Sequence, residues 1–202
     1  MTAFDQAWAL LKMPYYHGTS SKNIPSIMQH GLTPHAHDEG NYANDFSYID
    51  EDETPYEGES RAFMAPHPKR ALRFATGNLE PYMDVGAMTP DSQPVVIEIA
   101  DDVEGLEGFQ FNPSYHDFSV LEAIPPEMLK VVFTGSKNYP DVDALYEDQD
   151  EDPDILREIH EQMTIDFDEQ VMDDFLASDF WQRYMGMGMA RHPPYVLREG
   201  LY

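Results

Sequence analysis

The stretch YYHGTSSKNIPSIMQHGLTP, residues 15–34, changes its periodicity halfway along. An aromatic pair running into His17 reads as a short strand. Ser20 or Ser21 then offers a side-chain oxygen to cap a helix. Pro25 fits a first helical turn, where no amide donor is needed, and Ile24, Ile27 and Met28 recur at helical spacing. Gly31 ends that helix, because glycine readily takes the backbone conformation helix ends require. Packing alone calls for neither a histidine nor a glycine at a strand-to-helix junction. His17, Gly18 and Thr19 are therefore the first candidates for a site.

Working outward, residues 4–12 read as a short helix with Phe4, Trp8 and Leu11 on one face, and 33–60 as a long polar surface loop. RAFMA (61–65) reads as a strand, HPKRALRFAT (67–76) as a helix, and PVVIEIA (94–100) as the clearest strand in the chain. FSVLEAI (118–124) and LKVVFTG (129–135) read as two more. Short strands and helices in this order imply an α+β domain over 1–137. An acidic linker follows at 138–152. Beyond it, 153–202 reads as a helical extension, docked on the domain or binding a partner. Ile155, Ile159, Met163, Phe167, Val171 and Phe175 recur at i, i+4 along 153–176. MGMGM (185–189) reads as a flexible turn.

Composition narrows the function classes. The chain is 42% apolar and 12% aromatic, enough for a folded core, and it contains no cysteine. That removes disulfides, thiolate metal sites and cysteine nucleophiles. Twelve Lys and Arg stand against 38 Asp and Glu, a net charge of −26. Such a surface repels phosphate backbones and disfavours direct nucleic-acid binding. It suits a high-salt organism or a phage protein, a basic protein partner, mimicry of nucleic acid, or plain solubility. The N-terminal residues lack the apolar core of a signal peptide, and no apolar run reaches the ~18 residues of a membrane span. The expectation is a soluble, cytoplasmic protein, or one of the host cytoplasm or virion if phage-encoded, with no membrane contact.

Three motifs stand in order. The first is HGTSSKNIPSIMQHGL, and the second is AFMAPHPKRALRFA, where Phe63 and Phe74 lie eleven positions apart with the small Ala71 between. The third is FSVLEAIPPEMLKVV, a late strand running into Ile-Pro-Pro-Glu. Together they resemble the ADP-ribosyltransferase superfamily, in the branch with a His-Gly-Ser/Thr pocket that includes poly(ADP-ribose) polymerases. The resemblance covers 1–137 and none of the C-terminal third. It implies a split β-sheet core with flanking helices, and a transferase that moves ADP-ribose from NAD to a protein or other macromolecular acceptor, releasing nicotinamide.

What the resemblance implies for each residue follows from that chemistry. Breaking the bond between nicotinamide and ribose develops oxocarbenium character, so a pocket must orient the sugar and stabilise positive charge in the transition state. His17 would bond a ribose hydroxyl, Gly18 would present its backbone to the carboxamide, and Thr19 would add a hydroxyl. Phe63 and Phe74 would flank the ring, with Ala71 beside them. The family places a glutamate near the start of the late strand. Here Asp117 stands at that position and is the first choice for the catalytic acid, with Glu122 the second.

Each of these residues also has a plainer reading: His17 as a buried histidine held by a carbonyl, the phenylalanines as core, the two acids as solvated or capping groups. HAHDEG (35–40) offers His35, His37, Asp38 and Glu39, but a loop of that kind rarely closes a metal site, and none is expected. The tRNA 2′-phosphotransferase branch of the same fold needs more basic residues than Arg61, Lys69, Arg70 and Arg73. The arginine-modifying branch would show a first-strand Arg and a Glu-x-Glu loop, and neither is present. The alternative outside enzymology is a degenerate member of the fold, acting by binding as an inhibitor, a nucleic-acid mimic or a phage structural part.

Overall fold

The computed structural model describes residues 14–34, 60–76, 89–112, 117–141, 144–145 and 153–188. In chain order they form β1 (Tyr15–Ser20), α1 (Ile24–His30), β2 (Ala62–Met64), α2 (Pro68–Thr76), β3 (Pro94–Ile99), β4 (Gln110–Asn112), β5 (Asp117–Val120), β6 (Leu129–Thr134), α3 (Pro153–Ala177) and α4 (Asp179–Gly188). The expected helix at 4–12, most of the 33–60 loop, HAHDEG and the last residues of the tail lie outside the described residues.

The apolar run of β3 explains its position. A strand without alternation must be covered on both faces, and β3 is the middle strand of an antiparallel sheet ordered β1-β3-β6. Val95, Ile97 and Ile99 enter one core, and Val96 enters another on the opposite face. A second antiparallel sheet, ordered β2-β5-β4, faces the first core with Ala62, Met64 and Val120. The fold is mixed α and β with two small antiparallel sheets.

The second core lies between the first sheet and α2, α3 and α4. Tyr16, Ala71, Leu72, Val96, Phe133, Phe167, Val171, Phe175, Trp181 and Tyr184 are all buried there. Phe133 meets Phe175 edge-on at 5.1 Å, and Tyr16 meets Phe180 and Tyr184 at 6.0 and 6.1 Å between ring centroids. α3 and α4 supply half of the buried residues of this core.

The opening stretch folds as its residues dictate. The Ser20 hydroxyl accepts from the Lys22 amide and starts a 3-10 turn (Ser21–Asn23) leading into α1, while Ser21 pairs through its backbone and side chain with Gln93. Gly31 follows α1 at φ 86°, and its missing side chain makes room for the Ile124 carbonyl. Leu32 and Ile124 then exchange backbone hydrogen bonds.

Four expectations need correction. The strand expected over 118–124 is β5, which begins at Asp117 and ends at Val120, because the Leu121 amide turns away to the Glu107 carbonyl. β4 was not foreseen; three residues carry too little pattern to read. The MGMGM turn is helix up to Gly188, since α4 is anchored by Phe180, Trp181 and Tyr184 before its glycines arrive. Finally, the i, i+4 series on α3 is not one face. Each four-residue step rotates about 40°, so Ile155 and Phe175 point about 200° apart. Phe167, Val171 and Phe175 are buried, while Ile155 and Ile159 are 48% and 41% exposed.

Candidate functional site

The two sheets meet where Tyr16 and Ala65 exchange both backbone hydrogen bonds, at 2.8 and 2.7 Å. The direction of every other backbone group on β1 follows from that pair. Tyr16 turns its amide and carbonyl toward β2, whereas Ser21 donates its amide to Gln93, on the β3 side. Backbone groups alternate along a strand, so Gly18 turns its N–H and C=O toward the β2 side, two residues beyond the bridge. β1 and β2 share no further backbone pair there among the described residues. A donor and an acceptor side by side thus face the gap where the sheets part.

His17 borders this gap. Its Nδ1–H donates to the Phe63 carbonyl at 2.9 Å, a bond that makes the other ring nitrogen, Nε2, an acceptor in the neutral imidazole. The bond also holds β2 beside β1 after their ladder has ended. Thr19 is buried, and its hydroxyl oxygen accepts from Asn23 Nδ2 at 3.1 Å, which leaves the hydroxyl proton to donate elsewhere.

Gly18 has a second, structural reason to be glycine. A Cβ there would stand 1.7 Å from the Ala71 carbonyl oxygen and 2.8 Å from the Ala75 amide nitrogen. The bare face of Gly18 is filled by α2, while its backbone edge faces the gap. Ala71 accordingly sits fully buried against β1 as packing.

Phe63 is half-buried and pairs with Ser119 on β5, so it shares a sheet face with Ser119 and Asp117. Asp117 is only 7% exposed, and its Oδ1 has no hydrogen-bond partner. Burial pushes its carboxyl up to about 6, against the opposing pull of the Arg70 guanidinium. Arg70 lies over the Phe74 ring one helical turn away, 5.4 Å from its centroid. The Arg70–Phe74 side of α2 is in this way coupled to the sheet face that carries Phe63 and Asp117.

Glu122 is elsewhere. It lies beyond the end of β5, exposed, and its Oε1 accepts from the Glu107 amide at 2.9 Å. Of the two carboxylates named from the sequence, only Asp117 stands on the face with Phe63. The sequence offers Arg70 only as one of four basic residues weighed for the phosphotransferase branch; its i, i+4 spacing from Phe74 on a helix was the signal for their contact. Sequence reasoning also gave no role to Asn23, which orients Thr19.

Chemically, the gap can bind a flat polar group through paired backbone donor and acceptor, with an imidazole acceptor alongside. A desolvated carboxyl, Asp117, stands on β5, the strand paired with β2. Among the described residues no three His, Asp or Glu gather as a metal site, and no helix is long and apolar enough to cross a membrane. No model of a known protein family, no curated protein and no solved structure matches this chain.

Proposed function

We propose that the gap between β1 and β2 binds the nicotinamide–ribose end of NAD, and that the protein transfers ADP-ribose to a macromolecular acceptor. One observation carries this reading: the Gly18 amide and carbonyl are both aimed at the gap beside His17. A primary carboxamide needs such an adjacent donor and acceptor. His17 Nε2 would accept from a ribose hydroxyl, and the Thr19 proton, freed by Asn23, would reach the carboxamide oxygen. Phe63 and Phe74 offer apolar faces to a ring.

NAD supplies a cationic leaving group already attached to the sugar carbon. The protein's part is to hold that sugar and stabilise the positive charge that develops on it. Ionised Asp117 would face the charge and take the proton from the attacking acceptor group. As a neutral acid it could do neither, so turnover should fall as pH drops through about 6.

The test is NAD binding by calorimetry together with nicotinamide release, for the wild-type protein and His17→Ala. Release that disappears with His17→Ala supports the transferase. Absence of NAD binding sinks it. Binding without release in the presence of protein acceptors would favour the degenerate, binding-only reading, for which the shortness of Asp117 and the removal of Glu122 from the gap already speak.

A further inference from the structure

We infer that the outward side of α3 is a docking surface for a basic, amphipathic segment of a partner protein. α3 carries eight acids and one arginine, and that arginine is already paired with Asp154 at 3.1 Å. Its outward side is not uniformly polar. Ile155 and Ile159 open it, 48% and 41% exposed, one turn apart. Eighteen residues make five turns of α-helix, so Asp173 lies on the same line as Ile155, about 27 Å along the axis. Asp166, Glu169 and Asp173, all exposed, occupy that line after the isoleucines. The surface reads as an apolar anchor point followed by a row of carboxylates.

The acidic end opens into a cleft of about 420 Å³ between α2 and α3. Leu72 and Met172 provide apolar lining, and Asp168, Glu169 and Asp173 bring carboxylates to it, with Arg73 opposite. A lysine or arginine suits such a cleft, because its methylene stem can lie on apolar surface while its charged head meets the acids. The apolar point and the cleft select one kind of occupant between them. A second copy would bring its own acidic face against this one, and anionic lipid or nucleic acid would be repelled likewise. A basic helix with an apolar stripe satisfies both ends.

This inference does not depend on the NAD pocket, since neither end of the surface includes His17, Gly18 or Asp117. The test uses the full chain and a synthetic helical peptide of leucine and lysine, about 18 residues long. One control peptide replaces each lysine by glutamate, and another replaces each leucine by serine. The Leu/Lys peptide should bind with marked salt dependence, and the combined Ile155→Ser and Ile159→Ser variant should bind it at least about tenfold more weakly. Glu169→Gln with Asp173→Asn should weaken binding and flatten the salt dependence. All four side chains are exposed, so thermal melting should show the variants folded. Equal binding by the serine peptide, or binding indifferent to the isoleucine changes, would overturn the inference. So would sedimentation showing a dimer of the full chain that the isoleucine changes dissolve.

Discussion

Two regions of this molecule turn groups away from its ladders and cores, and they differ in kind. Where β1 leaves β2, the groups that face the gap are polar: a backbone amide and carbonyl at Gly18, beside an imidazole held by Phe63. On the outer side of α3 they are apolar, Ile155 and Ile159, set in a row of carboxylates. Paired polar groups in a narrow gap select a small ligand by geometry. Exposed isoleucines on a charged helix select a surface by area and sign. The proposed ligand gap and the proposed docking face would thus lie on separate parts of the chain and use different physics.

Substitutions can break each side of that comparison separately. The largest effect should come from Gly18→Ala, which drives a methyl into the α2 backbone; a loss of more than about 4 kcal/mol in urea unfolding is expected. A loss below about 1 kcal/mol would mean that α2 can move off β1. Phe175→Ala should cost about 3–5 kcal/mol in the same measurement, because the fully buried ring joins the helices to Phe133. A near-neutral result would separate the C-terminal helices from the core.

Asp117→Asn should act in the opposite direction. An acid whose carboxyl is raised to about 6 on folding takes up a proton between its unfolded value, near 4, and 6. Its stability contribution therefore falls as pH rises through that window and stays low above it. The asparagine variant should be more stable than wild type by about 2 kcal/mol at pH 8, with the gain gone near pH 4, while nicotinamide release falls about 100-fold or more. Lost turnover without a pH-dependent gain in stability would show a carboxyl that is not desolvated. The smallest effect belongs to Ile155→Ser, which should change stability by less than about 0.5 kcal/mol while weakening the peptide complex.

Most of the strand and helix pattern was legible in the sequence, and the reasons are local. β3 reads from its unbroken β-branched run, and α1 from its serine, proline and glycine signals. The site was legible in part. His17 and Gly18 draw attention as types that a plain junction does not call for, yet the packing of α2 against β1 by itself requires the glycine, and only the Tyr16–Ala65 bridge reveals which way its backbone points. The sheet-face relation of Phe63 to Asp117 likewise depends on the pairing of β2 with β5, across more than fifty residues of chain. Glu122 illustrates the reverse: it belongs to the strand read over 118–124, but β5 ends at Val120 and the chain has already turned when it reaches Glu122. The α3 stripe failed for a geometric reason, since a four-residue repeat drifts around a helix of 3.6 residues per turn.

The edge contact between Tyr16 and Tyr184 joins residues 168 positions apart. During synthesis, therefore, the apolar side of β1, β3 and α2 emerges long before the aromatic residues that will cover it. Non-local closure of this kind slows folding and leaves a sticky intermediate. A chain that ends before Phe167 would leave Tyr16, Leu72, Val96 and Phe133 without the aromatic residues of α3 and α4 that pack on them.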